Sequence, residues 1–202
     1  MKQQIALNVD CMEYMRTLPD KAFDLAIVDP PYGISIHDSG RLKKYNATET
    51  RWDDATPGDV YFSELKRCSK NQIIWGGNYY DLPPCRGFVI WDKKQPEDIS
   101  FASCEFAWTS FDTSARTFYY SPLQEKGQRI HPTQKPVALY EWLLQKYAKE
   151  GWRILDTHLG SGSSRIAAYN LGFDFVGCEI EPTYFQLQEQ RFAEHTAQER
   201  LW

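Results

Sequence analysis

A chain of 202 residues can bury one sizeable core, and its 42 % of apolar residues places it among globular rather than disordered chains. A formal net charge of −4 and a pI near 5.6 exclude a strongly basic, non-specific polyanion binder, although a local basic face stays open. The opening MKQQIALNVD lacks the apolar core of a secretory signal and no run reaches the ~18 apolar residues of a membrane span, so a soluble, cytoplasmic protein without membrane contact is expected.

Residues 4–9, QIALNV, read as a strand and 12–18 as a short helix. DLAIVD at 24–29 is an apolar run closed by an acid, the pattern of a buried strand. Residues 34–58 are polar and aperiodic and read as a long loop; 59–69 look helical. NQIIWGG, GFVIWD and CEFAWTSF predict three successive strands, and RTFYY (116–120) one more. Residues 136–150 predict a helix with Pro136 in its first turn and Leu139, Trp142, Leu143 and Tyr147 at helical spacing. WRILDT is a strand, 163–171 a helix, FDFVGCEI a strand and 182–198 a last helix. This alternation implies an α/β fold with a mainly parallel sheet, antiparallel in part at the central strand cluster. The whole chain, 1–202, reads as one domain in which 34–58 and 110–131 are functional insertions. The first insertion carries Arg41, Lys43, Lys44 and Arg51, diluted by Asp38, Glu49, Asp53 and Asp54; the second carries Arg116, Lys126 and Arg129. Such charges mark either a phosphate-binding surface or ordinary solvated loops. Five cysteines, an odd number with no C-x-x-C pair, argue for buried thiols rather than disulfides or zinc, and no metal site is expected.

ILDTHLGSGSSRIAA runs from strand through glycine turn to helix. Gly160 and Gly162 allow a sharp turn and close ligand approach, small Ser161 and Ser163 keep the loop open, and the helix start offers free N–H groups. A lone G-x-G also serves plain packing. Two acids sharpen the signal: Asp156 precedes the loop, and Glu179 ends the next strand, where an acid is placed for ribose hydroxyls. Arg165 stands where the dinucleotide fingerprint needs its third glycine, and Asp156 would repel a phosphate. A cofactor with an amino acid at one end and a nucleoside at the other fits better, and S-adenosylmethionine is such a molecule.

Asp29 ends LAIV and so lies at the ligand edge of the sheet. Pro30 and Pro31 remove two backbone donors and leave two carbonyl acceptors on a stiff turn. Tyr32 adds an aromatic face and Gly33 lets the chain leave. A planar group bearing an NH2 suits this site: carboxylate and proline carbonyl accept its hydrogens, and its ring stacks on Tyr32. The bland alternative is a structural diproline turn.

On these residues the chain resembles the amino-group DNA methyltransferases, which methylate adenine N6 or cytosine N4. DPPY at 29–32 is similar to their catalytic motif, DTHLGSG at 156–162 to their cofactor loop D-P-F-x-G-S-G, and HPTQKP at 131–136 to the segment before the last helix of the cofactor domain in the circularly permuted β class. The resemblance implies an S-adenosylmethionine-dependent methyltransferase fold, a Rossmann-like mixed sheet in permuted order, with double-stranded DNA as partner and a homodimer as a possible assembly. It implies Asp10 and Cys11 near the cofactor adenine, Glu179 on the ribose, and Asp156, the glycine loop, Thr133 and Lys135 around the methionine end, Lys135 facing the cofactor carboxylate. Asp10 reads equally as a helix N-cap. Thr157 and His158 depart from the family's Pro-Phe; His158 keeps a flat ring but adds polarity and a possible pH dependence. Asp29 at the motif head favours adenine by family tendency, with cytosine N4 the alternative and a non-catalytic nucleic-acid-binding subunit the rival from another class. The short recognition region implies a short or degenerate target read by the two loops.

Overall fold

The computed structural model describes residues 2–36, 45–96, 102–125 and 129–199. Its strands are β1 (Gln4–Asn8), β2 (Phe23–Val28), β3 (Ser69–Trp75), β4 (Phe88–Asp92), β5 (Cys104–Thr109), β6 (Arg116–Tyr119), β7 (Arg153–Asp156) and β8 (Asp174–Glu179). The helices are α1 (Cys11–Arg16), α2 (Asp59–Cys68), α3 (Val137–Tyr147), α4 (Ser163–Asn170) and α5 (Pro182–Glu199). All eight strands join one sheet in the order β1-β8-β7-β2-β3-β5-β4-β6. Only β5 runs against its neighbours, pairing antiparallel with β3 and β4. The expected mixed sheet is therefore present, and RTFYY supplies its edge strand β6.

Why these segments are strands is visible in where their side chains go. Alternate residues of one strand enter opposite cores, the period of two that a pleated strand imposes. Leu25 and Ile27 of β2, Ile73 and Trp75 of β3 and Ile154 of β7 pack with α3 and α4 on one face. Ala26, Val28, Ile74 and Leu155 pack with α1 and α2 on the other. A central parallel strand covered on both faces must be apolar throughout, which is why DLAIVD shows no alternation in sequence.

The ends of elements shift slightly from expectation. Pro136 does not sit inside the first turn of α3; it is the N-cap, with an extended ψ of 145°. The described parts of the first insertion, 34–36 and 45–58, contain no α-helix or strand. The second insertion is more ordered than a loop, holding β6 and a 3₁₀ turn at Pro122–Gln124. Among the described residues no helix is long and apolar enough to cross a membrane.

The topology fixes where chemistry can occur. From β7 the chain passes through α4 to β8 on one side; from β2 it passes through α2 to β3 on the other. Because β2 and β7 are parallel neighbours, the strand order reverses between them and a crevice opens beyond their carboxyl ends. The two strands end on Val28, just before Asp29, and on Asp156. Leu25 is fully buried in the middle of this arrangement. Leu25→Ala should lower the unfolding free energy by about 2–5 kcal/mol, read by denaturant titration.

Candidate active site

The turn after β2 is held from three sides. Asp53, 1 % exposed, accepts hydrogen bonds from the backbone N–H of Tyr32 (2.6 Å), Gly33 (3.0 Å) and Ile36 (3.0 Å). A carboxylate serving three backbone donors is a strong local brace, because charge-assisted bonds are about twice as strong as neutral ones. Tyr80 Oη donates to the carbonyls of Pro30 (2.7 Å) and Pro31 (3.1 Å), so the two acceptors that the prolines expose already hold one partner. Gly76, at φ +71°, lies against the Tyr32 ring so closely that a Cβ there would fall 2.2 Å from the ring. Tyr79 stacks on Tyr32 with centroids 4.9 Å apart and planes 14° from parallel. The two rings form a flat aromatic wall beside Asp29.

Beneath this wall lies a charged cluster. Lys135 Nζ donates to Asp29 Oδ2 (2.6 Å) and Glu105 Oε2 (2.9 Å) and lies 3.1 Å from Tyr32 Oη. Tyr32 Oη donates in turn to Asp29 Oδ1 (2.7 Å). Lys93 Nζ closes the row on Glu105 Oε1 (2.6 Å). Burial pushes Asp29 above the ordinary carboxylate range against the pull of Lys135. Glu105 suffers the same burial but has two lysines, and is held at about 2. Lys135 is raised, since its two carboxylates outweigh desolvation. Sequence reading put Lys135 at a cofactor carboxylate; in the structure its ammonium faces two carboxylates of this protein, those of Asp29 and Glu105.

The glycine loop after β7 is also organised by carboxylates. Glu179 Oε2 accepts from the N–H of Gly160 (2.7 Å), and its Oε1 accepts from Glu181 (2.9 Å). Asp156 accepts from the N–H of His158 (3.0 Å) and from Ser164 Oγ. Burial first, then the nearby charges of Asp29 and Glu179, push Asp156 up to about 7 despite those bonds. Gly162, at φ +73°, starts α4, and a Cβ there would press 3.1 Å from Gln188 of α5. Ser161 and Ser163 share a hydrogen bond (3.1 Å), and Arg191 donates to the Ser161 carbonyl and Ser163 Oγ. Arg165, in the place of the third glycine, is no ligand group: it bridges α4 to Glu189 (2.6 Å) and to the Gln4 carbonyl (3.0 Å).

The departures from the family loop find local partners. Thr157 Oγ1 bonds Tyr61 Oη (2.6 Å) and His158 Nδ1 (2.9 Å). Burial lowers His158 to about 4, so its ring is neutral across the physiological range and the anticipated pH dependence does not arise from it. Asp10 is indeed an N-cap, accepting from Met12 N (2.7 Å), and Cys11 follows beside it with its thiol pushed up to about 12 by burial. Thr133 lies against His131, whose ring packs on Tyr184 at 4.3 Å.

Asp10, Asp29, Asp156 and Glu179 thus stand at or just beyond the carboxyl ends of β1, β2, β7 and β8, along one edge of the sheet. The proposed phosphate contacts divide. Arg129 lies over the Tyr45 ring at 5.2 Å; burial lowers its proton affinity against the opposing pull of Tyr45 and Glu105, which sets it on the site side. Arg51 pairs with Asp54 (2.6 Å) in the first insertion. Arg116, the remaining described cation of the second insertion, begins β6, paired with Val89 at the start of the parallel strand β4, and so lies at the amino edge, opposite Asp29. Arg41, Lys43, Lys44 and Lys126 lie outside the described residues. Sequence reading missed Asp53, Tyr79, Tyr80, Lys93, Glu105 and Arg191; the one local signal was Glu105, an acid inside the apolar strand CEFAWT. Gly76→Ala should destabilise the fold by about 2–4 kcal/mol, from the left-handed backbone and the clash with Tyr32, measured by denaturant unfolding.

Comparison with known proteins identifies the family and the fold. A family model described as DNA methylase, of the N6 and N4 methyltransferases, matches residues 54–190, which include HPTQKP and the glycine loop. M.HinfI of Haemophilus influenzae, a type II methyltransferase, is 26 % identical over 93 % of this chain and 68 % of its own. YubD of Escherichia coli strain K12, named as a methylase, is 25 % identical over 91 % of this chain and 88 % of its own. Among solved structures, the M1.HpyAVI–SAM complex superposes with TM-score 0.62 at 22 % identity, covering 95 % of this chain and all 100 % of that one. The cytosine-N4-specific PvuII DNA methyltransferase superposes with TM-score 0.64 at 12 % identity, covering 96 % and 92 %. The fold is that of the DNA methyltransferases, and the chain belongs to the DNA methylase family of amino-group (N6/N4) methyltransferases.

Proposed function

We propose that this protein methylates adenine N6 in double-stranded DNA, with S-adenosylmethionine as methyl donor. The observation that carries the reading is the Asp29-Pro-Pro-Tyr32 turn braced at the switch point beside the glycine loop after β7. The donor set of that loop fits the cofactor. The Gly160 N–H, which a phosphate would use, is occupied by the Glu179 carboxylate, so the crevice suits a cationic, hydroxyl-bearing ligand rather than a pyrophosphate. Asp156 and the glycine loop would hold the amino-acid end, and Glu179 and Asp10 the nucleoside end. When bound, S-adenosylmethionine supplies an electrophilic methyl on a sulfonium.

The protein's own part is positioning. An exocyclic amine is a poor nucleophile because its lone pair is conjugated into the ring. The Asp29 carboxylate and the Pro30 carbonyl accept its two hydrogens and favour a more tetrahedral nitrogen with its lone pair aimed outward. The base must leave the duplex to reach them. Tyr32 and Tyr79 offer its flat face a wall, and a base stacking on Tyr32 from the Tyr79 side displaces Tyr79. Adenine is preferred on the acid that heads the motif. The two insertions, with Arg51 and Arg129, are the recognition surface of this reading; Arg116, at the opposite edge, is left out of it.

Digestion of treated DNA to nucleosides should yield N6-methyldeoxyadenosine; N4-methyldeoxycytidine would move the reading to cytosine, and no transfer would overturn it. Asp29→Ala should lower methylation at least ~100-fold with calorimetric cofactor binding retained. The Asp156 value of about 7 gives a further expectation. A cationic amine binds the ionised carboxyl, which is populated above that value and lost as pH falls through it. Cofactor affinity should therefore weaken as pH drops below 7, approaching about tenfold per unit, and Asp156→Asn should flatten most of that slope.

A further inference from the structure

The row of alternating charges under the Asp29 turn is more than methyl transfer by positioning requires. Lys93 follows β4, Glu105 is on β5, Lys135 precedes α3 and Asp29 follows β2, and the three links are 2.6, 2.9 and 2.6 Å long. Two lysines and two carboxylates cancel, so the row can stay ionised although the Lys135 side chain is only 2 % exposed. The cation also lies 5.3 Å from the Trp75 ring centroid and 5.5 Å from that of Tyr32. The two carboxylates are not equivalent. Glu105 has a lysine on each oxygen, whereas Asp29 has one lysine; the Tyr32 hydroxyl lies 2.7 Å from Asp29 Oδ1 and 3.3 Å from Glu105 Oε2. Glu105 is therefore the settled anion and Asp29 the adjustable one.

We propose that Glu105 and Lys93 are positioning residues for methyl transfer: through Lys135 they divide one ammonium between two carboxylates, and so set how strongly Asp29 accepts the substrate amine. The inference rests on the reading of Asp29 as amine acceptor. With Lys135 wholly committed to Asp29, the carboxylate would be neutralised and a weak acceptor. With Lys135 drawn wholly to Glu105, Asp29 would be a desolvated acid that takes up a proton. Sharing keeps it ionised with lone pairs to offer. The other groups facing Asp29 are Tyr32 on its own turn, Tyr80 after β3, Tyr140 on α3 and Asp156 on β7. The three tyrosines are raised by burial and stay neutral, which leaves Asp156 as the one further titrating neighbour among the described residues.

The test is the pH dependence of the single-turnover methylation rate, with duplex DNA and S-adenosylmethionine saturating so that cofactor binding at Asp156 drops out. The acid limb then reports Asp29. Glu105→Gln removes a negative charge and should move that limb to lower pH by about one unit, with a plateau reduced roughly tenfold or more. Lys93→Met removes a positive charge and should move the limb to higher pH. Glu105→Asp keeps the charge and should leave the limb near the wild-type position. Opposite shifts support the proposal. Reduced plateaus with unmoved limbs, as a purely structural role predicts, overturn it. Lys93, with a side chain 14 % exposed, carries the test by itself where Glu105→Gln does not fold: an unmoved limb in Lys93→Met then overturns it. A wild-type protein that methylates no DNA would instead overturn the parent reading.

Discussion

The parallel pairing of β2 with β7 is the constraint from which the rest of this protein follows. The two strands are far apart in the chain, yet Leu25 lies beside Ile154 and Ala26 beside Leu155. Their crossovers leave in opposite directions, which opens a crevice beyond their carboxyl ends. Asp29 and Asp156 face that space from neighbouring strands. Placing two acids in one desolvated crevice is unfavourable: burial raises the proton affinity of both, and the charge of Asp29 further raises that of Asp156. The structure answers with different partners: a lysine and a tyrosine at Asp29, hydrogen bonds from Ser164 and the His158 backbone at Asp156.

Tyr32, His158 and Ser164 are near in sequence to the acids they serve, but Lys135 and the groups around it are long-range, and this decides how the site is built. Asp53 reaches back to brace the Asp29 turn; Glu105 and Lys93 come from the strands beyond β3; Arg191 reaches from α5 to the glycine loop and to Glu125 (3.3 Å). A site with its groups on rigid strand ends and its counter-charges on other elements loses geometry only when the packing beneath it gives way. Trp75, Ile73 and Ile27 form that floor, each at most 1 % exposed.

Much of this was legible in the chain. Apolar runs ended by acids located β2, β7 and β8, and glycine punctuation located the loop before α4. Those signals are local, because a strand's burial and a turn's backbone leave their mark on consecutive residues. What stayed hidden is what local sequence carries no mark of. Lys135 reads as a basic residue before a helix, and nothing nearby says that its ammonium turns toward Asp29, 106 positions away. Arg116 reads as a loop cation until β6 pairs with β4 and sets it at the far edge. Asp53 looks like one more solvated acid among its neighbours.

Sequence alone therefore settled the order of elements, the two motif turns and the family they resemble, since each depends on residues adjacent in the chain. It could not settle which charges neutralise which, nor which acid remains adjustable. Pairing of buried charges depends on distances of a few ångströms between elements that only the closed sheet brings together. Burial, which sets the proton affinities of Asp29, Glu105 and Asp156, belongs to the packed fold and to no segment of it.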